Sequence, residues 1–221
     1  MAIREDTKCA EWFFGKERLK SCIPIASRRE LGTNSGAMRH SGCAQVFENP
    51  KHPFNVKLNS QLKKAADLKA DEYGLFFGSA GHAALYDYPT AYGLQAVAEN
   101  IWQRRGIVAA VCHGPVLLPG VIDADTGKSI IDGKTVTGFT VEGEVVLKVL
   151  DKLTSDRVAL VVDAVSKAGA DYSSPMHPFD DYSITGRRLI TGANPASARS
   201  AAERALTAFD ELPTAQARDS Q

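Results

Sequence analysis

Residues 108–115 hold the side chains best suited to chemistry. They read Val-Ala-Ala-Val-Cys-His-Gly-Pro, so an apolar run stops at Cys112 and His113. A cysteine thiolate is a strong nucleophile, and a neighbouring histidine can accept the thiol proton. A buried strand that ends at a nucleophile and is soon followed by a glycine, here Gly114, is typical of a nucleophile elbow, whose sharp turn raises the side chain above the sheet. We therefore predict a reactive cysteine at position 112, with small neighbours because the backbone packs closely there.

The turn after Cys112 predicts two further contributions. We expect a helix to begin there, and its N-terminal amides and dipole would favour the thiolate over the thiol. The backbone amide of His113 would point at an oxyanion formed on a substrate. The alternative is a buried, inert cysteine, which is a common core residue. A Cys-His-Gly-Pro turn at a strand end is unusual for a core cysteine, and it favours the functional interpretation.

A second glycine-rich turn follows another predicted strand. Gly78-Ser-Ala-Gly81-His82 comes directly after the apolar run Tyr73–Phe77. Such turns at strand ends bring backbone amides close to a ligand, although a plain tight turn explains the composition equally well. Open α/β sheets bind ligands at the carboxyl ends of their strands, so we expect Gly81 and His82 to lie at the same edge as Cys112.

Two acids could complete the site. Glu142 and Glu144 follow Thr137-Gly-Phe-Thr140. A carboxylate here could orient His113 and hold its protonation state. The residues alone do not separate this role from that of two ordinary surface carboxylates.

The pattern around these motifs predicts an α/β fold. The continuous apolar run 106–111 is typical of a central parallel strand covered on both faces. Helical periodicity marks residues 57–68 and 90–104, and Asn194 is the expected N-cap of a last helix to residue 209. Further strands are predicted at 134–139 and 188–191. Strands that alternate with helices indicate a mainly parallel sheet in a sandwich.

The totals exclude several classes of protein. The chain has 26 basic and 26 acidic residues, so it offers no electrostatic footprint for nucleic acid or an anionic membrane surface. Its apolar runs are too short to span a bilayer. No His or Cys pair has the spacing of a zinc site, so no metal is expected. The four cysteines form no Cys-x-x-Cys pair, and we read them as thiols of a reducing compartment, which predicts a cytoplasmic location.

The regular pattern does not cover the whole chain. Residues 1–43 contain glycine-, serine- and asparagine-rich stretches, and Pro24 interrupts the one candidate strand there, 22–26. We expect a diverged or poorly ordered leader at 1–43, one domain at 44–212 and a polar tail at 213–221.

Four ordered motifs resemble one known family. They read Tyr73-Gly-Leu-Phe-Phe-Gly-Ser-Ala-Gly-His-Ala-Ala-Leu-Tyr-Asp-Tyr-Pro89, Val108-Ala-Ala-Val-Cys-His-Gly-Pro115, Lys134-Thr-Val-Thr-Gly-Phe-Thr140 and Leu189-Ile-Thr-Gly-Ala-Asn-Pro-Ala-Ser197. Over about residues 46–212 the chain resembles the heat-shock chaperone-like glyoxalase III group, of fungal type, in the ThiJ/PfpI superfamily. The resemblance implies a flavodoxin-like sandwich with a mainly parallel sheet, like the class I glutamine amidotransferases, in a homodimer.

The resemblance also assigns roles to residues of the site. Cys112 matches the family nucleophile, His113 its partner and Glu144 the acid of the triad, whereas Glu142 is displaced from the matching position. The amides of Gly81 and His113 match the oxyanion hole, and His82 belongs to the same substrate-binding turn. The family reaction converts a small 2-oxoaldehyde, methylglyoxal, to lactate through a hemithioacetal on the cysteine, without glutathione, cofactor or metal.

The leader departs from the family pattern. Family members begin with an apolar first strand and then present a glutamate that hydrogen-bonds the cysteine and moves the substrate proton. Residues 1–43 show neither, and the leader is a few tens of residues shorter. None of its glutamates stands in a matching context: Glu5, Glu11, Glu17 and Glu30. We expect the first strand to be missing or diverged and the shuttling acid to be absent, a loss that typically costs about 10²–10⁴-fold in rate.

Three functions follow from these expectations. The first is an active glyoxalase III-type lyase. The second is a catalytically impaired stress-response chaperone on the same scaffold, whose holding of client proteins would survive replacement of Cys112. The third is a redox sensor, in which mild oxidant would form a sulfenic or sulfinic acid at Cys112 in preference to the other cysteines.

Overall fold

The structure is a computed structural model that describes residues 22–25, 49–51, 56 and 64–212, the first of these ranges as backbone. Within these ranges, no helix is long and apolar enough to cross a membrane. The strands in chain order are β1 (Cys22–Ile25), β2 (Leu75–Ala80), β3 (Ile107–Cys112), β4 (Ile122–Asp123), β5 (Lys128–Ser129), β6 (Thr135–Val136), β7 (Asp171–Tyr172), β8 (Ser183–Gly186) and β9 (Leu189–Gly192). The α-helices are α1 (Ala84–Asp87), α2 (Tyr92–Gln103), α3 (Val141–Val146), α4 (Leu150–Ser155), α5 (Val161–Lys167) and α6 (Ala198–Asp210).

The central sheet has five described strands in the order β1-β2-β3-β9-β8. Strands β1, β2, β3 and β9 run parallel to one another, and β8 pairs antiparallel with β9. Ala80 at the end of β2 pairs with Cys112 at the end of β3. The exits of these two strands are therefore level, so that the residues following them meet at the carboxyl edge of the sheet.

The middle strand β3 lies at the centre of the core. All six of its residues are buried, as its unbroken apolar run predicted, because a central parallel strand is covered on both faces. Helices α2 and α6 both pack against it. The buried face of α6 consists of alanines, which bring the helix axis close to the sheet: Ala198, Ala201, Ala202 and Ala205.

The later predicted elements are present with altered bounds. The last helix starts with a 3-10 turn at Pro195–Ser197 and continues as α6, and the Asn194 side chain accepts a hydrogen bond from the Ser197 amide, so the predicted N-cap is confirmed. The predicted strand at 134–139 is reduced to β6, which pairs with β7, because the chain then turns towards the end of β3. Most of the predicted helix at 57–68 lies outside the described residues.

The strand β1 corrects one expectation. Its four residues pair in parallel register with β2, with Pro24 opposite Phe77. Proline is tolerated in an edge strand because its missing N–H need not face a partner strand. Of the two expected forms, a missing or a diverged first strand, the structure leaves the diverged form, which stays a prediction. The rest of the leader and the tail at 213–221 lie outside the described residues, so the division of the chain into three parts stays a prediction.

We predict that Gly114→Ala destabilises the fold. An added Cβ would meet the backbone oxygen of Gly78 at 2.1 Å, and such overpacking typically costs about 1–3 kcal/mol. Urea unfolding followed by circular dichroism measures the loss. Gly186→Ala is the matched control, because its Cβ would meet no atom closer than 3.7 Å. Equal stability of the two variants would contradict the close approach of β2 to the turn after Cys112.

Candidate active site

Cys112 occupies a strained backbone position at the end of β3. Its φ is 62°, in the left-handed region that residues other than glycine rarely adopt. Such a position costs of the order of 1–3 kcal/mol and persists only where the surroundings hold it. The carbonyl of Cys112 accepts a hydrogen bond of 2.8 Å from the Phe139 amide, and Gly114 lies against the backbone of Gly78. The sharp turn expected from the sequence is therefore present, with a small neighbour where space is least.

The segment after the turn differs from the expected helix. Residues Gly114–Gly120 form a 3-10 helix that contains two prolines, Pro115 and Pro119. Proline lacks an amide hydrogen and cannot continue a regular helical ladder. A seven-residue 3-10 segment also has fewer aligned peptide dipoles than a full α-helix. We therefore expect the side chains around the sulfur to contribute more to thiolate stabilisation, and the helix dipole less, than the sequence indicated.

The Cys112 sulfur lies beside the imidazole of His113. Sγ is 3.3 Å from Nδ1, and Nε2 on the other side of the ring lies 2.9 Å from Oε1 of Glu144. The histidine is completely buried and stacks on Phe139, with ring centroids 4.5 Å apart. The three side chains thus form one continuous line of contacts from sulfur to carboxylate.

The position of Glu144 depends on how the preceding segment is attached to the sheet. The Thr137 amide donates to Oγ1 of Thr191 in β9 at 2.9 Å. Oγ1 of Thr140 then accepts from the Gly143 amide and caps α3, as threonine commonly does at a helix start. On this short helix Glu144 points inward and is buried, whereas Glu142 is exposed. Residues two apart on a helix face nearly opposite ways, so the tertiary structure selects Glu144.

His82, in the turn after the neighbouring strand β2, also forms a hydrogen bond with the Glu144 carboxylate. It follows β2, and its Nε2 lies 2.8 Å from Oε2 of Glu144. Its ring centroid is 4.2 Å from that of His113. The sequence predicted that His82 lies near Cys112, but it did not predict this contact, because 62 positions separate the two residues. No signal in a single sequence would have revealed it.

Gly81 lies between the end of β2 and His82, at the level of Cys112. A Cβ added there would meet no atom of the described residues within 4 Å, its two chain neighbours aside. The glycine is therefore not required by packing in the described structure, in contrast to Gly114.

The charges of the buried pair follow from their surroundings. Burial lowers the pKa of His113 to about 4, although the hydrogen bond to Glu144 opposes this shift. Burial would raise the pKa of Glu144, but the hydrogen bonds from His113 and His82 outweigh it and bring the pKa to about 2. At neutral pH the acid is ionised and the imidazole neutral. An ionised carboxylate only accepts, so Nε2–H of His113 donates to Glu144 and Nδ1 can accept the Cys112 thiol proton.

One group of possible metal ligands exists among the described residues. The donor atoms of His82, His113 and Glu144 all lie within 4.8 Å of one another. Hydrogen bonds of 2.8 and 2.9 Å already join these atoms, and a metal ion would have to displace the proton of both Nε2 atoms. Hydrogen bonding accounts for the group, and the expected absence of a metal stays a prediction.

The chain is similar in sequence to several fungal proteins that are described as glyoxalases. The chain is 48% identical over 163 residues to the glutathione-independent glyoxalase HSP31 of Saccharomyces cerevisiae, covering 74% of this chain and 68% of the relative. It is 42% identical over 166 residues to glyoxalase 3 of Candida albicans, covering 75% and 70%. The probable glutathione-independent glyoxalase hsp3104 of Schizosaccharomyces pombe is 36% identical over 207 residues, covering 87% and 93%. No protein-family model matches the chain.

Solved structures agree with the sequence comparison. The crystal structure of glyoxalase III from Candida albicans superposes with a TM-score of 0.73 at 42% identity, covering 76% of this chain and 70% of that one. The Francisella tularensis protein REP24 has a TM-score of 0.67 at 24% identity, covering 80% and 75%, and supports the α/β fold alone. The predicted family and the predicted mainly parallel α/β fold are therefore confirmed. This chain belongs to the HSP31 family of glutathione-independent glyoxalases.

Proposed function

We propose that the protein is a glutathione-independent glyoxalase that converts methylglyoxal, a small 2-oxoaldehyde, to lactate. The observation that carries the proposal is the line of contacts from Cys112 through His113 to Glu144 at the end of β3. The relatives described as glutathione-independent glyoxalases support it. Such a reaction needs a thiolate nucleophile and a base beside it, and the site holds both groups in contact.

The first step forms a carbon–sulfur bond. Nδ1 of His113 takes the thiol proton, and the sulfur attacks the aldehyde carbon of methylglyoxal. The electron pair of the carbonyl bond moves to oxygen, and that oxygen becomes the hydroxyl of a hemithioacetal when it receives the proton. We assign the stabilisation of the transient oxyanion to the backbone amides of Gly81 and His113. Glu144 stabilises the imidazolium that forms in between.

The second step is an internal oxidation and reduction that needs no external oxidant. A base removes the proton from the former aldehyde carbon while the ketone oxygen gains a proton, which gives an enediol. The second carbon then gains a proton, and the hydroxyl on the first carbon loses its proton. The first carbon becomes a thioester carbonyl and the second a secondary alcohol. Water then releases lactate and restores the thiol. Nδ1 of His113 lies beside the sulfur and is the base we assign to this transfer. The glutamates of the leader lie outside the described residues, so the expected absence of a separate shuttling acid stays a prediction.

Two further features complete the proposal. A catalytic thiol must stay reduced, so a reducing compartment such as the cytoplasm suits it. The resemblance to the glyoxalase III group supports a homodimer as the working form.

Replacement of Cys112 by alanine is predicted to abolish lactate formation from methylglyoxal without glutathione. Glu144→Gln should lower kcat by about 10²–10⁴-fold, because the uncharged amide stabilises the imidazolium poorly. Coupled lactate assays on purified protein measure both. Glu142→Gln is the matched control on the same helix and should keep full activity, since Glu142 is exposed. A folded wild type that forms no lactate would contradict the proposal and leave the chaperone and redox-sensor interpretations.

Gly81→Ala is predicted to lower kcat/KM without lowering stability. Among the described residues, the two chain neighbours aside, no atom lies within 4 Å of the added Cβ, so we expect it to displace bound substrate rather than protein. Steady-state kinetics and urea unfolding on the same sample separate the two effects. Unchanged kinetics would show that the substrate does not use this turn.

On the acidic side, kcat/KM should fall only at an unusually low pH. Burial lowers the pKa of His113 to about 4, so the base stays neutral and the rate should hold down to about pH 5. Because folding lowers this pKa, the unfolded state binds the proton first, and stability decreases as the pH falls from about 6.5 towards 4. Short assays diluted from neutral stock, with circular dichroism at each pH, separate inactivation from unfolding. An acid limb near 6.5 in folded protein would contradict the buried, neutral base.

A further inference from the structure

The carboxylate of Glu144 is held by two imidazoles from two neighbouring strands. His113, after β3, bonds Oε1 at 2.9 Å, and His82, after β2, bonds Oε2 at 2.8 Å. The glutamate side chain is 3% exposed. Only the first of these contacts belongs to the triad in the proposed reaction.

We propose that His82 is a positioning residue, which fixes the Glu144 carboxylate so that Oε1 holds His113 in the tautomer that presents Nδ1 to Cys112. This inference rests on the proposed function, because it concerns the same site. The family resemblance placed His82 in the substrate-binding turn, whereas we now assign it a contact with the Glu144 carboxylate.

The geometry explains why one donor is not enough. A carboxylate with a single hydrogen bond can turn about its last bond and offer either oxygen. A second donor on the other oxygen removes this freedom and provides the buried Oε2 with a hydrogen bond as well. The free energy that this second bond supplies therefore orients the acid.

The ring of His82 is itself held in place. It lies 4.2 Å from the ring of His113 with the planes tilted by 45°, and it meets Phe139 edge to face at 5.6 Å. Positive charge on His82 would also oppose positive charge on His113. The two histidines are thus coupled through their ring contact as well as through the acid.

The exposure of the three side chains separates their roles. His82 is 37% exposed, whereas His113 is 1% and Glu144 3% exposed. His82 can therefore be replaced at a smaller packing cost than the two buried members. This makes it suitable for a test by mutation.

Two substitutions test the proposal. His82→Leu removes the donor, and His82→Gln keeps an N–H at about the position of Nε2. The readouts are kcat and KM for methylglyoxal, and the pH profile of Cys112 alkylation by iodoacetamide, followed by mass spectrometry of the Cys112 peptide. His177→Leu, an exposed histidine outside the site, is the matched control and should behave as the wild type.

We expect His82→Leu to lower kcat by about 10- to 100-fold through misplacement of the acid, with little change in KM. Its alkylation profile should move to lower pH, because Glu144 without its second donor, and His113 without the neighbouring ring, favour the imidazolium that stabilises the Cys112 thiolate. His82→Gln should recover most of kcat. Urea unfolding of all variants controls for loss of structure.

Other outcomes overturn the proposal. A raised KM with unchanged kcat in both variants would make His82 a substrate-binding residue, and unchanged kinetics and alkylation in both would remove it from the site. An equal loss in His82→Gln and His82→Leu would show that the N–H donor to Glu144 is not what matters. If the wild type forms no lactate but the alkylation profile still moves in His82→Leu, the proposed glyoxalase function fails and the positioning role stands.

Discussion

The buried carboxylate of Glu144 is the interaction on which the site depends. An isolated charge at this depth would be costly, and the protein offsets the cost with two hydrogen bonds to charge-complementary N–H groups. These bonds connect α3 to the exits of β2 and β3. A displacement of one strand end relative to the other would weaken a bond to a buried ion, so the contacts to which we assign the chemistry also hold the two strand ends together.

The backbone at Cys112 adds a second constraint. A left-handed φ at a non-glycine residue stores strain, and the surrounding structure maintains it. The Phe139 amide binds the Cys112 carbonyl, and the lack of a side chain at Gly114 lets the turn lie against β2. Residues 137–140, which precede α3, therefore have two roles. They hold the turn at Cys112 in place, and they position Glu144 against His113.

Much of the fold could be predicted because its signals are local. The unbroken apolar run predicted β3, and the Asn-Pro pair predicted the cap of the 3-10 turn that leads into α6, since both patterns report burial or backbone geometry within a few residues. The predictions failed where a partner strand decides the outcome. Pro24 argued against a strand, but its position at the edge of the described sheet, beside β2, tolerates it. The run at 134–139 was predicted as one strand, but only β6 pairs, because the rest crosses to Cys112.

For the site, the sequence by itself determined the contact of Cys112 with its adjacent histidine and the sharp turn that holds them, because these residues are contiguous. The resemblance to a family implied Glu144 as the acid, and the structure places it, rather than Glu142, against His113. Only the tertiary structure decided that Glu142 faces outward, that both oxygens of Glu144 are used, and that His82 contacts the acid across 62 positions. The physical reason is that hydrogen bonds between strand exits depend on register and helix rotation, and both are set by packing of the whole sheet rather than by neighbouring residues.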